Sequence, residues 1–207
     1  MRTWVTIPSG CVVSVTGIFN LWILYIGGYV IVYPLRLWAE KKRGMPFEDP
    51  ELTAQRRVMI PAAIWMISGL AVSVFAPISM GLLFLPGLIV AIIGLILVGI
   101  VFHSFAMQPG LATKGIHRYS RNPNYIGWTV YFLGLALIGW SDSIWSIFFC
   151  FYVIYTAVYL HWNVTQEEVF LSNKYGDSYF EYLVKTPRYF GRPSEEKSDS
   201  KQEVDEQ

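Results

Sequence analysis

Residues 58–77 read VMIPAAIWMISGLAVSVFAP, twenty residues without one Asp, Glu, Lys or Arg. A run of roughly 20 apolar residues is the length of one bilayer crossing. The run does not stand alone. No Asp, Glu, Lys or Arg occurs from Val58 to Thr113, and from Asn122 to Gln166 the only one is Asp142. Over the whole chain of 207 residues, 54% are hydrophobic and 15% are charged, against about 25% charged in a soluble domain of this size. The sequence therefore predicts an all-α membrane protein.

Working outward from 58–77, four more apolar segments follow the same logic. They cover about 11–37, 80–104, 123–140 and 143–163. About five transmembrane helices result. The short links near Pro77 and Asp142 make the second and third, and the fourth and fifth, antiparallel pairs. Lys and Arg set the expected orientation. Arg36, Lys41, Lys42, Arg43, Arg56 and Arg57 flank one long loop, and Lys114, Arg118 and Arg121 lie in the other. By the positive-inside rule both loops and the C-terminus face the cytoplasm, with the N-terminus outside. The expected location is the plasma membrane of a prokaryote or the endoplasmic reticulum.

Beyond the fifth crossing, Phe170, Leu171, Tyr175, Tyr179, Tyr182 and Leu183 recur at about helical spacing in a polar stretch that Gly176 interrupts. This pattern predicts a cytoplasmic amphipathic C-terminal helix. Residues 1–193 are expected to form one integral membrane domain, with the motif-bearing half at 105–191. Residues 194–207, rich in Ser, Glu, Asp and Lys, are expected to be a disordered polar tail. Cys11 and Cys150 lie in apolar runs and read as buried hydrophobes. No Cys/His spacing points to a metal, and the near-zero net charge of +1 offers no footprint for nucleic acid.

The polar residues concentrate in RYSRNPNY, 118–125. Asn122 suits a helix N-cap and Pro123 the first helical turn, so the fourth crossing is expected to start there. A helix start presents free N–H groups and partial positive charge, and Arg118 and Arg121 add full charges beside it. Such a patch can hold a carboxylate or phosphate. Gly115 allows a close approach of backbone and ligand. The fifth crossing emerges from the membrane toward Glu167–Glu168. Adjacent helical residues point about 100° apart, so one glutamate can face the patch. A basic helix start, an acidic helix end and a ring of tyrosines suit a zwitterionic or cationic small molecule. Each residue also has a plainer reading: arginine anchors, interfacial tyrosines, a solvated acidic pair, packing roles for His103 and His161.

Residues 111–127, LATKGIHRYSRNPNYIG, resemble the signature of a superfamily that groups isoprenylcysteine carboxyl methyltransferases with phospholipid N-methyltransferases. Leu111, Thr113, Gly115, Arg118, Tyr119, Arg121, Pro123, Tyr125 and Gly127 fall on the signature, and Glu167–Glu168 follow after the hydrophobic span. Leu171, the stretch YGDSYFEY and Arg188 are similar to the isoprenylcysteine branch. Asn122 stands where that branch has His and is similar to the phospholipid branch. The resemblance implies S-adenosylmethionine as methyl donor, with Lys114, Gly115, Tyr119, Arg121, Asn122, Pro123, Tyr125, Glu167 and Glu168 around it. Arg121 and Glu167 are the expected catalytic residues. The implied acceptor is a membrane lipid or a prenylated molecule, with isoprenylcysteine-like carboxyl O-methylation ahead of phospholipid N-methylation. PNYIG also resembles the motif of membrane sterol reductases that use NADPH, but Trp128 stands where they have Glu. A non-enzymatic membrane protein is the remaining alternative.

Overall fold

The computed structural model describes residues 14–191, with side chains from Asn20 onward. The expected tail at 194–207 and Cys11 lie outside the described residues. A strand, β1 (Ser14–Asn20), leads into α1 (Trp22–Arg43). A short helix, α2 (Pro50–Thr53), precedes α3 (Arg56–Phe75). Strand β2 (Pro77–Ser79) precedes α4 (Phe84–Ala106). A 3-10 turn (Gly115–Arg118) then leads to α5 (Pro123–Ile138), α6 (Ile144–Tyr175) and α7 (Asp177–Lys185). The chain is an all-α membrane protein with a small two-stranded ribbon.

Among the described residues four helices, α1, α3, α4 and α6, are long and apolar enough to cross a membrane. Their outer faces carry exposed Ile64, Ile67, Ile89, Ile96, Phe151 and Ile154. In water such a surface is unfavourable, whereas in hydrocarbon it costs nothing. The fourth expected crossing, α5, has 16 residues and is about 24 Å long, shorter than the ~30 Å hydrocarbon layer. It can be short because it is enclosed by protein. Trp128, Phe132, Leu135 and Ile138 of α5 are all buried. The turn after it is satisfied internally, since Ser146 Oγ donates to the Gly139 carbonyl at 2.6 Å.

One expectation is corrected. Within the first apolar run, Ser14–Asn20 forms a strand rather than part of the helix. Over Ser14–Asn20 the β-branched, Gly-containing stretch pairs antiparallel with β2, Ser14 opposite Ser79 and Val15 opposite Ile78. The amphipathic segment is divided at Gly176, and its second part is the separate helix α7 with Tyr179 and Tyr182 buried. α6 continues unbroken to Tyr175, and Gly176, at φ +54°, turns the chain into α7.

Helices α4 and α5 meet backbone to backbone. A Cβ on Gly94 would lie 2.5 Å from the Tyr131 nitrogen, one on Gly87 2.8 Å from the Gly134 carbonyl oxygen, and one on Gly127 2.6 Å from Val98 Cγ2. Small residues spaced along two helices permit this approach, which fixes the position of α5 against α4. At the far end, Gly139 packs on Leu21 and Pro77. The other face of α5 packs through Phe132 on Tyr25, Trp65 and Tyr152.

Gly94→Val should therefore lower stability by at least about 2 kcal/mol, an overpacking cost against immovable backbone. Gly27→Ala, where a Cβ meets nothing within 4 Å, should leave stability unchanged or slightly raised. Thermal unfolding in detergent micelles, followed by circular dichroism, compares them; equal melting temperatures would refute the close-contact account.

Candidate active site

The bundle has one polar end, formed by the α1–α3 connection, residues 107–122, the last turns of α6, and α7 with the segment after it. Pro123 opens α5 there, as its fixed φ favours. Asn122 occupies the N-cap position, but its side chain makes no cap, a correction to the sequence reading. Its Nδ2 instead donates to the Arg188 carbonyl at 3.2 Å. The residues after α7 act as a strap across this turn. The Arg121 amide donates to Pro187 O at 3.0 Å, and the Gly191 amide to Tyr119 O at 3.3 Å.

The strap brings Arg188 onto Glu168. Arg188 Nη2 lies 2.7 Å from Oε2 and Nε 3.1 Å from Oε1, a bidentate pair. Arg121 Nη2 reaches Glu168 Oε1 from the other side at 3.5 Å. Glu168 is buried and is held by two guanidinium groups.

Glu167, one residue away, points elsewhere. Its Oε2 accepts a hydrogen bond from Tyr125 OH at 2.8 Å, and that hydroxyl accepts one from Asn163 Nδ2 at 2.8 Å. Asn163 lies one helical turn before Glu167 on the same face of α6. The apolar crossing of α6 ends near residue 163, since 32 residues span about 48 Å and exceed the hydrocarbon layer. Glu167 thus stands on the emergent part. Removal from bulk water pushes its carboxyl up to about 7; Glu48 and Glu168 push the same way, and the Tyr125 hydrogen bond opposes them.

Glu167 lines a cavity of about 1420 Å³. Arg121, Asn122, Pro123 and Tyr125 line it too, while Trp128 and Tyr159 form part of an aromatic wall. At one side the lining includes Val30 and Tyr33 of α1 and Met59 and Met66 of α3, all exposed on the outer surface. The cavity therefore opens laterally between these helices. Toward the polar end it runs under the α1–α3 connection, including Phe47, Glu48 and Asp49.

Buried polar atoms without hydrogen-bond partners gather around this cavity. Tyr29 OH, Arg43 Nε and Nη1, His117 Nε2, Arg121 Nε, Asn124 Oδ1 and Asn163 Oδ1 all belong to lining residues. Unmet buried polar groups are costly and rare in folded chains, so their convergence marks a place for a polar ligand.

The structure brings Arg121, Asn122, Pro123, Tyr125 and Glu167 together on the cavity. Glu168 abuts them but is engaged by the two arginines. Lys114, Gly115 and Tyr119 do not line it. Lys114 and Tyr119 are exposed, and Gly115, at φ +66°, packs a tight turn on Ser104. Sequence reasoning missed Asn124, Asn163, His117, Arg43 and Glu48. Asn163 stands four residues before Glu167, and His117 and Asn124 lie within the stretch 111–127 already singled out; Arg43 and Glu48 carry no local signal. Among the described residues no group of His, Cys, Asp and Glu forms a metal-binding set.

Residues 80–178, just under half of the chain, match the model of the phospholipid methyltransferase family. The match bears out the resemblance of residues 111–127 to the integral membrane methyltransferases. No curated protein and no solved structure matches the chain.

Glu168→Ala should destabilise the protein by about 3 kcal/mol, because it strands Arg121, whose side chain is only 11% exposed. Arg188→Ala should cost about 1 kcal/mol, because that side chain is 40% exposed and solvent screens it. Unfolding in detergent with increasing denaturant measures both; the reverse ranking would contradict the assignment of Glu168 as the structural carboxylate.

Proposed function

We propose that the protein is an S-adenosylmethionine-dependent methyltransferase acting on a lipidic acceptor at the polar end of the bundle. The carrying observation is the division of the glutamate pair. Glu168 is consumed by Arg121 and Arg188, while Glu167 faces the cavity with an elevated carboxyl pKa.

The lining fits such a donor. Glu167 offers a negative charge to cationic groups, and Arg121 and the uncapped start of α5 offer positive charge to a carboxylate. Trp128 and Tyr159 offer aromatic surface, and the unmet donors and acceptors offer partners for a nucleoside. When bound, S-adenosylmethionine supplies a methyl group on a positively charged sulfur. The chain's own residues then bind, align and exclude water, which is most of what an in-line methyl displacement requires. The lateral opening between α1 and α3 lets an acceptor reach the cavity from hydrocarbon.

For a carboxylate acceptor of the isoprenylcysteine type, Arg121 orients the nucleophilic oxygen, and no proton need be removed. One observation supports the second reading, a phospholipid amine. With its carboxyl near 7, Glu167 is suited to take the proton that an ammonium must lose before it attacks. The proposed orientation places the polar end in the cytoplasm, where the Lys and Arg residues concentrate.

Calorimetry on detergent-purified protein tests the reading with S-adenosylmethionine, S-adenosylhomocysteine and, as a control, NADPH. The first two should bind and NADPH should not. NADPH binding alone would turn the site into a reductase site. Arg121→Ala should weaken donor binding about tenfold.

The pH dependence follows from Glu167. The groups around its carboxyl are Tyr125 on α5, Glu48 of the α1–α3 connection and Glu168. Its ionised fraction rises from about a tenth at pH 6 to about nine tenths at pH 8. Donor affinity should rise severalfold over that interval in the wild type and stay flat in Glu167→Gln. Identical slopes for the two would remove Glu167 from the donor site.

A further inference from the structure

The family pattern begins at residue 80, yet part of the cavity wall comes from the end of α1 and the connection after it. Arg43, the last residue of α1, lies there. Its guanidinium sits 3.7 Å over the Phe105 ring and donates to the Gly110 carbonyl, which fixes its position. Its Nε and Nη1 remain buried and without partners. His117 lines the same cavity, is only 8% exposed, and also has an unpartnered nitrogen, Nε2. Its backbone is pinned, because the His117 carbonyl accepts a hydrogen bond from Tyr182 OH at 2.8 Å. Burial, helped by the nearby Arg43 charge, pushes the imidazole down to about 4. At neutral pH the ring is uncharged and has one N–H to donate.

The neighbouring carboxylates are engaged elsewhere. Glu40 and Glu48 pair with Arg36 at 2.9 and 3.3 Å, and Asp49 pairs with Lys174. Among the described residues no carboxylate forms an ion pair with Arg43. A partly desolvated cation with two unmet nitrogens, beside a buried imidazole with a third, is an arrangement that an anion would complete.

We propose that Arg43 and His117 form an oxyanion subsite that holds a negatively charged oxygen group of a ligand in this cavity. Two sources share that chemistry: the phosphodiester of a membrane phospholipid and the carboxylate of the methyl donor. The inference rests on the methyltransferase reading only for the second source. It adds a cation to the site from a part of the chain that lies outside the matched family segment.

The test compares wild type, Arg43→Gln and His117→Gln as full chains in detergent. Three probes are titrated: S-adenosylhomocysteine, 5′-methylthioadenosine, which lacks the amino-acid end, and phosphatidylethanolamine in mixed micelles. Diacylglycerol, which lacks the phosphodiester, is the lipid control. If the donor carboxylate is held, both variants weaken S-adenosylhomocysteine about tenfold and leave methylthioadenosine unchanged. If the phosphodiester is held, both weaken phosphatidylethanolamine about tenfold and leave S-adenosylhomocysteine and diacylglycerol unchanged. Equal affinities in all three proteins, or a parallel loss for every probe, would overturn the subsite. Should Arg43→Gln fail to fold, His117→Gln carries the same comparison. A wild type that ignores both nucleosides would defeat the methyltransferase reading while the phospholipid titration still decides the subsite.

Discussion

Glu168 lies between the guanidinium groups of Arg121 and Arg188, and these three residues belong to α6, the turn into α5 and the strap beyond α7. The two arginines would repel each other in so small a space without the carboxylate between them. With it, three segments far apart in sequence share one fixed point. Everything at the polar end refers to that point. The strap can cross the start of α5 because Arg188 is anchored. The turn of about 100° between adjacent helical residues then directs Glu167 into the cavity once Glu168 is directed at the arginines. A buried charge cluster of this kind is poor value as stabilisation, since desolvation offsets much of its attraction. Its use is to specify one arrangement.

A second constraint acts inside the hydrocarbon. Gly87, Gly94, Gly127 and Gly134 let α4 and α5 touch through their backbones, which leaves no room between them for the large cavity. The open volume lies on the other side, toward α1 and α3. The packing of one pair of helices thus decides which helices line the site.

The sequence disclosed the membrane class directly, because stretches such as 58–77 have no other stable home. It disclosed the patch at 118–125 and its glutamate partners through residue types and spacing. It did not disclose which glutamate faces the cavity, because that depends on where Arg188 arrives, and a strap has no periodicity to read. The strand at Ser14–Asn20 was hidden for a related reason. An apolar run looks helical until its pairing partner, three residues at Pro77–Ser79, is seen. Arg43 read as a topological anchor, since nothing in the sequence places it over Phe105 or beside His117. Local chemistry was legible, whereas chemistry assembled from distant segments was not.

The lateral gap bounded by Val30, Tyr33, Met59 and Met66 has a thermodynamic consequence. Lifting an acyl chain out of a bilayer costs roughly 0.8 kcal/mol for each methylene, so a 16-carbon chain would demand more than about 10 kcal/mol. A molecule that slides its polar head between α1 and α3 leaves its chains where they were and avoids that cost. For such a ligand the relevant concentration is a mole fraction within the membrane plane, not a molarity. Dilution with inert lipid would then slow its encounter with the protein, and dilution with water would not.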